Sequence, residues 1–268
     1  MISPNVFDCL RCPSCGDEGL HLGSGRRPEV VCESCDHAYP IIDGIADMKA
    51  PDSAPAPGEY RTETLFNLIA GVYDIVAPAM SLGVWRCSPL RYVDLQNQAL
   101  GRANGGILVA APIGTGVVLN SVLADYHDIT IIGFDQSWKM LRQAQERFEA
   151  SSHDLHLIRA DYESLPLRDD VADVVQSLNG LHTFTDRNAI LAEFVRCLKP
   201  EGLLTGTALV RGQESMADTV LDRYERYGVY PLLRTAEFLR RELAEQPLVE
   251  LNFETHGAVM FYSADSAR

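Results

Sequence analysis

From Ile107 onward, short apolar runs alternate with amphipathic stretches, a pattern that predicts strands interleaved with helices. Ile107–Ala111 reads as a strand, Val117–Ala124 as a helix and Ile129–Phe134 as a second strand. Gln136–Glu149 follows as an amphipathic helix with Met140, Leu141, Ala144 and Phe148 on one face. Leu155–Arg159, Asp173–Ser177 and Leu203–Ala208 are further strands, and helical sequence over Asn188–Leu198 separates the last two. Strands alternating with helices pack as a mostly parallel sheet covered on both faces. The pattern changes at the end. Leu248–Glu254, a Thr-His-Gly turn and Ala258–Ser263 predict an antiparallel hairpin.

Upstream, Leu65, Leu68, Ile69, Val72 and Val76 recur at helical spacing until Pro78, where a proline is expected to stop the helix. A second helix is expected over Pro89–Gly101. Before both lies Ala50-Pro-Asp-Ser-Ala-Pro-Ala-Pro-Gly58, with three prolines and no apolar period, which reads as an extended linker. The organisation expected is a small module over 1–49, a linker over 50–58 and a large domain over 59–268, opened by a helical lid over 59–104. The uncharged run Ile107–Ala124 has the length of a membrane span, but Pro112 and a glycine turn interrupt it. No span is expected.

Composition narrows the partners. The chain has 268 residues, 46% of them hydrophobic, enough for a sizeable core. Its net charge of −14 disfavours phosphate-backbone contacts and repels anionic membranes, so nucleic acid is not the expected partner. The opening Met-Ile-Ser-Pro-Asn lacks the pattern of an export signal, and seven cysteines without one fit a reducing cytoplasm.

Four of those cysteines, Cys12, Cys15, Cys32 and Cys35, are spaced C-x2-C-x16-C-x2-C, which matches a four-thiolate zinc site. The alternative is thiol pairs, reduced or disulfide-bonded, without metal. Cys9 reads as a small buried hydrophobe, and Cys87 and Cys197 stand alone in helix-like sequence. With Tyr39-Pro-Ile-Ile-Asp-Gly-Ile45 behind the second pair, the stretch resembles the Trm112-like zinc ribbon. That family often accompanies methyltransferase domains, fused or as a partner subunit.

Candidate ligand-binding residues in the large domain fall at successive strand ends. Gly114-Thr-Gly116 follows the first strand and lets backbone approach a ligand closely. Asp135 ends the second strand, nineteen residues after Gly116, where a carboxylate can accept from both hydroxyls of a ribose. Asp161, after the third, can accept from an adenine amino group. Together they predict a nucleoside-type cofactor. Leu119 occupies the place of the third glycine of a dinucleotide loop, and no Gly-Lys-Ser/Thr is present for a phosphate loop.

Gly133-Phe-Asp135-Gln-Ser137-Trp-Lys-Met140-Leu141, Ala160-Asp161-Tyr-Glu-Ser-Leu165-Pro166, Ala172-Asp173-Val-Val175 and Leu198-Lys199-Pro200-Glu-Gly202 resemble successive segments of class I S-adenosylmethionine methyltransferases of the UbiE-like kind. The resemblance implies an α/β, Rossmann-like, seven-stranded mostly parallel sheet with a terminal antiparallel hairpin, beside the small N-terminal ribbon. It also implies roles. Gly114, Thr115 and Gly116, with Pro112 before them, would lie beside the cofactor's methionine part. Asp135 would hold the ribose, flanked by Gln136 and Ser137. Asp161 and Tyr162 would bound the adenine, Ser177 and Asn179 the sulfonium side, and Tyr73 would act from the lid. His182, soon after the fourth strand, is the candidate general base, against packing or capping. Ala110 departs from the family, which usually has an acidic residue there to orient the cofactor's ammonium end.

The expected activity is methyl transfer from S-adenosylmethionine to a small-molecule acceptor, beside a structural Zn2+; a homodimer is compatible with this. Tyr224, Tyr227, Tyr230 and Phe238, within Met216–Glu245, can frame an aromatic or lipophilic acceptor or simply pack helices. An RNA methyltransferase and a non-catalytic cofactor-binding or partner-binding protein are the alternatives, the second motivated by Ala110.

Overall fold

The structure, a computed structural model, describes residues 4–50, 57–149, 151, 153–230 and 233–268. A one-turn helix α1 (Pro4–Phe7) precedes four short strands, β1 (Leu20–Leu22), β2 (Glu29–Cys32), β3 (Ala38–Ile42) and β4 (Ile45–Asp47). Two helices follow, α2 (Pro57–Gly83) and α3 (Leu90–Arg102). The alternating region then supplies β5 (Ile107–Ala110), α4 (Val117–Val122), β6 (Thr130–Asp135), α5 (Trp138–Phe148), β7 (Asp154–Arg159) and β8 (Ala172–Ser177). After it come α6 (Arg187–Cys197), β9 (Leu198–Leu209), α7 (Ser215–Arg226), α8 (Ala236–Ala244), β10 (Leu248–His256) and β11 (Val259–Ser266).

Among the described residues eleven strands join one sheet in the order β1-β2-β3-β4-β7-β6-β5-β8-β9-β11-β10. Neighbours from β4 to β9 run parallel, and the β10–β11 hairpin closes the far edge antiparallel, with β11 inserted beside β9. Seven of these strands, β5 to β11, are the ones the sequence pattern predicts. The four additional strands come from the cysteine region and are three to five residues long, too short for alternation to reveal. β4 pairs parallel to β7 through Ala46↔Ile158 and Asp47↔Arg159, so it covers what would otherwise be an open sheet edge.

Alternation along the strands divides the core. Leu108, Ala110, Ile131 and Val174 face one way and pack with Ala99, Leu100, Leu119, Leu141 and Phe148 of α3, α4 and α5. Val109, Ala111, Ile132, Phe134 and Val175 face the other way, toward Phe194 of α6 and Leu239 of α8. The same cluster takes in Cys12, Val30, Cys32, Tyr39 and Ile41. The cysteine region therefore shares a core with the sheet.

Two expectations change. α2 continues through Pro78 to Gly83. Pro78 lacks an amide to donate one helical bond, yet it sits on the exposed side, and the turn beyond it is secured by Val84 and Trp85 amides on the Met80 carbonyl and by Ser81 Oγ on the Cys87 carbonyl at 2.8 Å. The helix at the glycine loop is shorter than expected, ending at Val122 before a tighter 3-10 turn over Leu123–Asp125. Residues 51–56 of the expected linker lie outside the described residues, and Pro57 opens α2, where a proline's missing amide costs nothing.

Candidate functional site

β5 lies between β6 and β8 at the centre of the sheet, where the connections leave in opposite directions and open a crevice. The loop after β5 forms the floor. Gly114 has φ 57° and Gly116 φ 67°, conformations that side chains disfavour. A β-carbon at Gly116 would stand 2.7 Å from Phe148, whereas one at Gly114 would meet nothing within 4 Å, because that glycine borders the open cleft. Asp135 fixes the loop's position. Its carboxylate accepts from the Gly114 amide and from the Ser137 amide, both at 2.9 Å.

The cleft encloses about 1090 Å3 including its mouth. Of the residues expected at a cofactor, Tyr73, Pro112, Gly114, Thr115, Gly116, Asp135, Gln136, Ser137, Tyr162 and Asn179 line it. Ser177 does not: it is fully buried and lies one residue out of phase with Gln176, which takes its place on the wall. Asp161 lies off the wall. Its Oδ1 is 3.0 Å from Lys49 Nζ, and its Oδ2 is buried with no partner. A buried, unsatisfied carboxylate oxygen beside Tyr162 suits an amino group such as that of adenine. The glycine floor, the Asp135 carboxylate and this oxygen fit S-adenosylmethionine.

Sequence reasoning missed Tyr92, Gln96 and Gln176 on the wall. The signal was present: Gln96 sits on the buried face of α3 with Leu95, Ala99 and Leu100, and Gln176 directly follows the buried Val174 and Val175 of β8. It also missed how α2 is held over the floor. Thr115 Oγ1 donates to Asp74 Oδ1 at 2.6 Å, Arg147 pairs with Asp74, and Arg147 Nε donates to the Thr115 carbonyl at 2.9 Å. Nearby, Ser137 Oγ and Asn67 Oδ1 are 2.7 Å apart. The helix is tied to both the loop after β5 and the loop after β6.

A second pocket of about 1020 Å3 adjoins the cleft and shares Tyr73, Tyr92, Val117, Val118 and Asn179 with it. Its remaining wall is largely apolar: Leu65, Ile69, Val76, Met80, Trp85 and Leu209, with Tyr224, Tyr230 and His182. Of the other aromatic residues expected at an acceptor, Tyr227 and Phe238 lie on the surface, and Phe238 stacks under Arg187 and Arg234.

His182 sits edge-on to Tyr230 with ring centres 4.8 Å apart. Its Nδ1 accepts from the Leu209 amide at 3.1 Å, so the proton of the neutral ring is on Nε2. Burial, with the nearby Arg187 charge adding, depresses its pKa to about 3. Both ring nitrogens are thus committed at neutral pH, leaving no lone pair to take a proton from a substrate.

The sulfurs of Cys12, Cys15, Cys32 and Cys35 lie within 4.8 Å of one another, with Cys12–Cys35 at 3.7 Å and Cys15–Cys32 at 3.5 Å. Four thiolates about 2.3 Å from a central zinc stand roughly 3.8 Å apart, so the cluster fits a tetrahedral ion. Tyr39 Oη is 3.1 Å from Cys12 Sγ and 2.7 Å from Ser14 Oγ, which orients the buried sulfur. Cys9, Cys87 and Cys197 stand apart from the cluster.

Fold and site together define an α/β domain built to hold a nucleoside cofactor at the centre of a doubly wound sheet. Comparison with known proteins narrows the class. Residues 111–205 match the family described as Methyltransferase domain. A ubiquinone/menaquinone biosynthesis C-methyltransferase UbiE of Syntrophotalea carbinolica is 34% identical over 151 residues, 55% of this chain. The chain spans 60% of that relative's length. A Haemonchus contortus phosphoethanolamine N-methyltransferase, solved with S-adenosylhomocysteine, superposes with TM-score 0.65 at 13% identity, over 82% of this chain and 62% of that one. A structure from the complex of the Haloferax volcanii Trm112 methyltransferase activator with a methyltransferase superposes with TM-score 0.57 at 18% identity, over 76% of this chain and 98% of that one. These likenesses support a class I S-adenosylmethionine-dependent methyltransferase, matched in sequence over residues 111–205, and the four-cysteine cluster fits a zinc ribbon.

Proposed function

We propose that the chain transfers a methyl group from S-adenosylmethionine to a lipophilic aromatic small molecule. One observation carries this reading: an apolar pocket abuts the cofactor cleft and shares Tyr73, Tyr92 and Asn179 with it. When bound, the cofactor supplies an electrophilic methyl group on a sulfonium. The protein's part is then to align an acceptor in the second pocket with that methyl group and to exclude water, which α2 does as a roof over both sites. Asp135 would hold the ribose hydroxyls and Asp161 the adenine amino group. The UbiE relative's name, a C-methyltransferase of quinone biosynthesis, supports an aromatic acceptor; a pocket lined by Trp85, Tyr224 and Tyr230 suits one. The net charge of −14 disfavours RNA as the acceptor.

His182 is read as a fixed wall of the acceptor pocket; its committed ring nitrogens replace the general-base role that its position in the sequence suggests. Zinc in the ribbon is read as structural, since four thiolates leave no open position for a catalytic water. Such thiolates fit a reducing cytoplasm.

The test offers methyl-tritiated S-adenosylmethionine with a lipid-soluble metabolite extract in one arm and total RNA in the other. Label in an organic-phase product, lost in Asp135→Ala, is expected. Label in RNA alone overturns the acceptor class, and no calorimetric binding of S-adenosylhomocysteine at millimolar concentration overturns the cofactor.

A further inference from the structure

Gln96 is fully buried, and neither its Nε2 nor its Oε1 has a partner. Gln176, 2% exposed, likewise has its Nε2 buried and unpartnered. Both line the cofactor cleft, as does Ala110. Strand register brings them together. Ala110 of β5 pairs with Gln176 of β8, and alternation turns both toward α3, which carries Gln96. The small side chain of Ala110 leaves room between the two carboxamides. Buried amides without partners are rare in a folded core, and three such atoms on one stretch of cleft wall point to a ligand.

The sheet order says which part of the ligand. Asp161 and Asp135 follow or end β7 and β6, which places the nucleoside on that side of β5. The β8 side is left for the rest of the molecule. Among the described residues that line the cleft Asp135 is the only charged one, so a zwitterion on the β8 side meets no charged partner among them. A carboxamide both donates and accepts. Its Nε2 suits a carboxylate and its Oε1 an ammonium group.

We infer that Gln96 and Gln176 bind the α-amino-acid end of the cofactor, neutral amides doing what a carboxylate at position 110 would otherwise do; this rests on the S-adenosylmethionine reading. The probes are S-adenosylhomocysteine and 5′-deoxy-5′-methylthioadenosine, which share the nucleoside but differ in the amino-acid end. Calorimetry compares the whole protein with Gln96→Met and Gln176→Met, replacements that keep length and remove the amide. Each variant is expected to bind S-adenosylhomocysteine about tenfold more weakly, the loss of one to two hydrogen bonds, and methylthioadenosine within about threefold of the original. The ligand-free Gln96→Met protein is expected to melt no lower than the original, because an orphaned amide has been removed. Unchanged S-adenosylhomocysteine affinity, or equal losses for both nucleosides, overturns the assignment. If the unaltered protein binds neither nucleoside, the cofactor reading falls and this inference with it.

Discussion

Replacing Asp74 by alanine tests whether α2 is a latched lid over the glycine loop. Asp74 is the only charged residue of α2 between Leu65 and Gly83, and its carboxylate meets Thr115 Oγ1 at 2.6 Å and the Arg147 guanidinium. Thr115 is 2% exposed, so its hydroxyl loses a partner that water replaces poorly. A hydrogen bond to a charged group contributes about 1.5–3 kcal/mol. Because the Asp74 side chain keeps 29% exposure, the lower end applies. The ion pair, exposed to a similar degree, adds about 0.5 kcal/mol. Together the latch is worth about 2 kcal/mol, which shifts a closed–open equilibrium roughly thirtyfold.

Hydrogen exchange by mass spectrometry reads that shift directly. Amides in the 68–76 stretch of α2 should exchange about ten- to thirtyfold faster in Asp74→Ala, while those of α5 and β6 keep their protection. A double-mutant cycle with Thr115→Val should give a coupling of about 1 kcal/mol or more. The latch is refuted if α2 protection is unchanged, or if the two substitutions add within about 0.3 kcal/mol.

Two further perturbations act on stability. His182 is buried neutral with a pKa near 3, below the roughly 6.5 of an unfolded chain, so its contribution is complete above pH 6.5 and declines as the pH falls toward 3. Between pH 6 and pH 4 the original protein should lose about 2 to 3 kcal/mol more than His182→Asn in urea titrations, and parallel losses would remove the buried-histidine argument. Metal analysis of the untagged protein should find about one equivalent of zinc, and a strong chelator should lower both the melting temperature and the affinity for S-adenosylhomocysteine. A metal-free protein with unchanged melting would leave the ribbon reading without support.

What was legible in the sequence is what short-range spacing encodes. The cysteine pairs, the two glycines and Asp135 belong to local turns, and their partners lie a few residues away or at the next strand end. The parallel part of the sheet from β5 to β9 was legible because each of those strands carries a short apolar run set between helical stretches. Ser177 was misplaced through parity: the end of β8 was evident, but which of Gln176 and Ser177 faces the cleft depends on pairing with Ala110 across the sheet. Asp74 and Arg147 are seventy-three residues apart and Lys49 and Asp161 more than a hundred, so neither pair leaves a periodic trace. Pro78 misled because a local rule for ending helices was overridden by the packing of the turn beyond it.

The ribbon's effect on the nucleoside site follows from register. Because Asp47 pairs with Arg159, the chain leaving β4 runs beside the chain leaving β7, with the Met48 amide on the Arg159 carbonyl at 2.8 Å. Lys49 therefore arrives opposite Asp161, its Nζ 3.0 Å from Oδ1. A carboxylate this far from solvent is costly without a counter-charge, and Lys49, only 15% exposed itself, supplies one. The other oxygen is buried without a protein partner. The same segment adds an ion pair between Asp47 and Arg159, and Arg159 in turn donates to the Gln136 carbonyl at 2.8 Å, on the loop after β6. The four-cysteine module thus sets the charge and geometry of the loops after β6 and β7, and it does so through the strand it adds to the sheet.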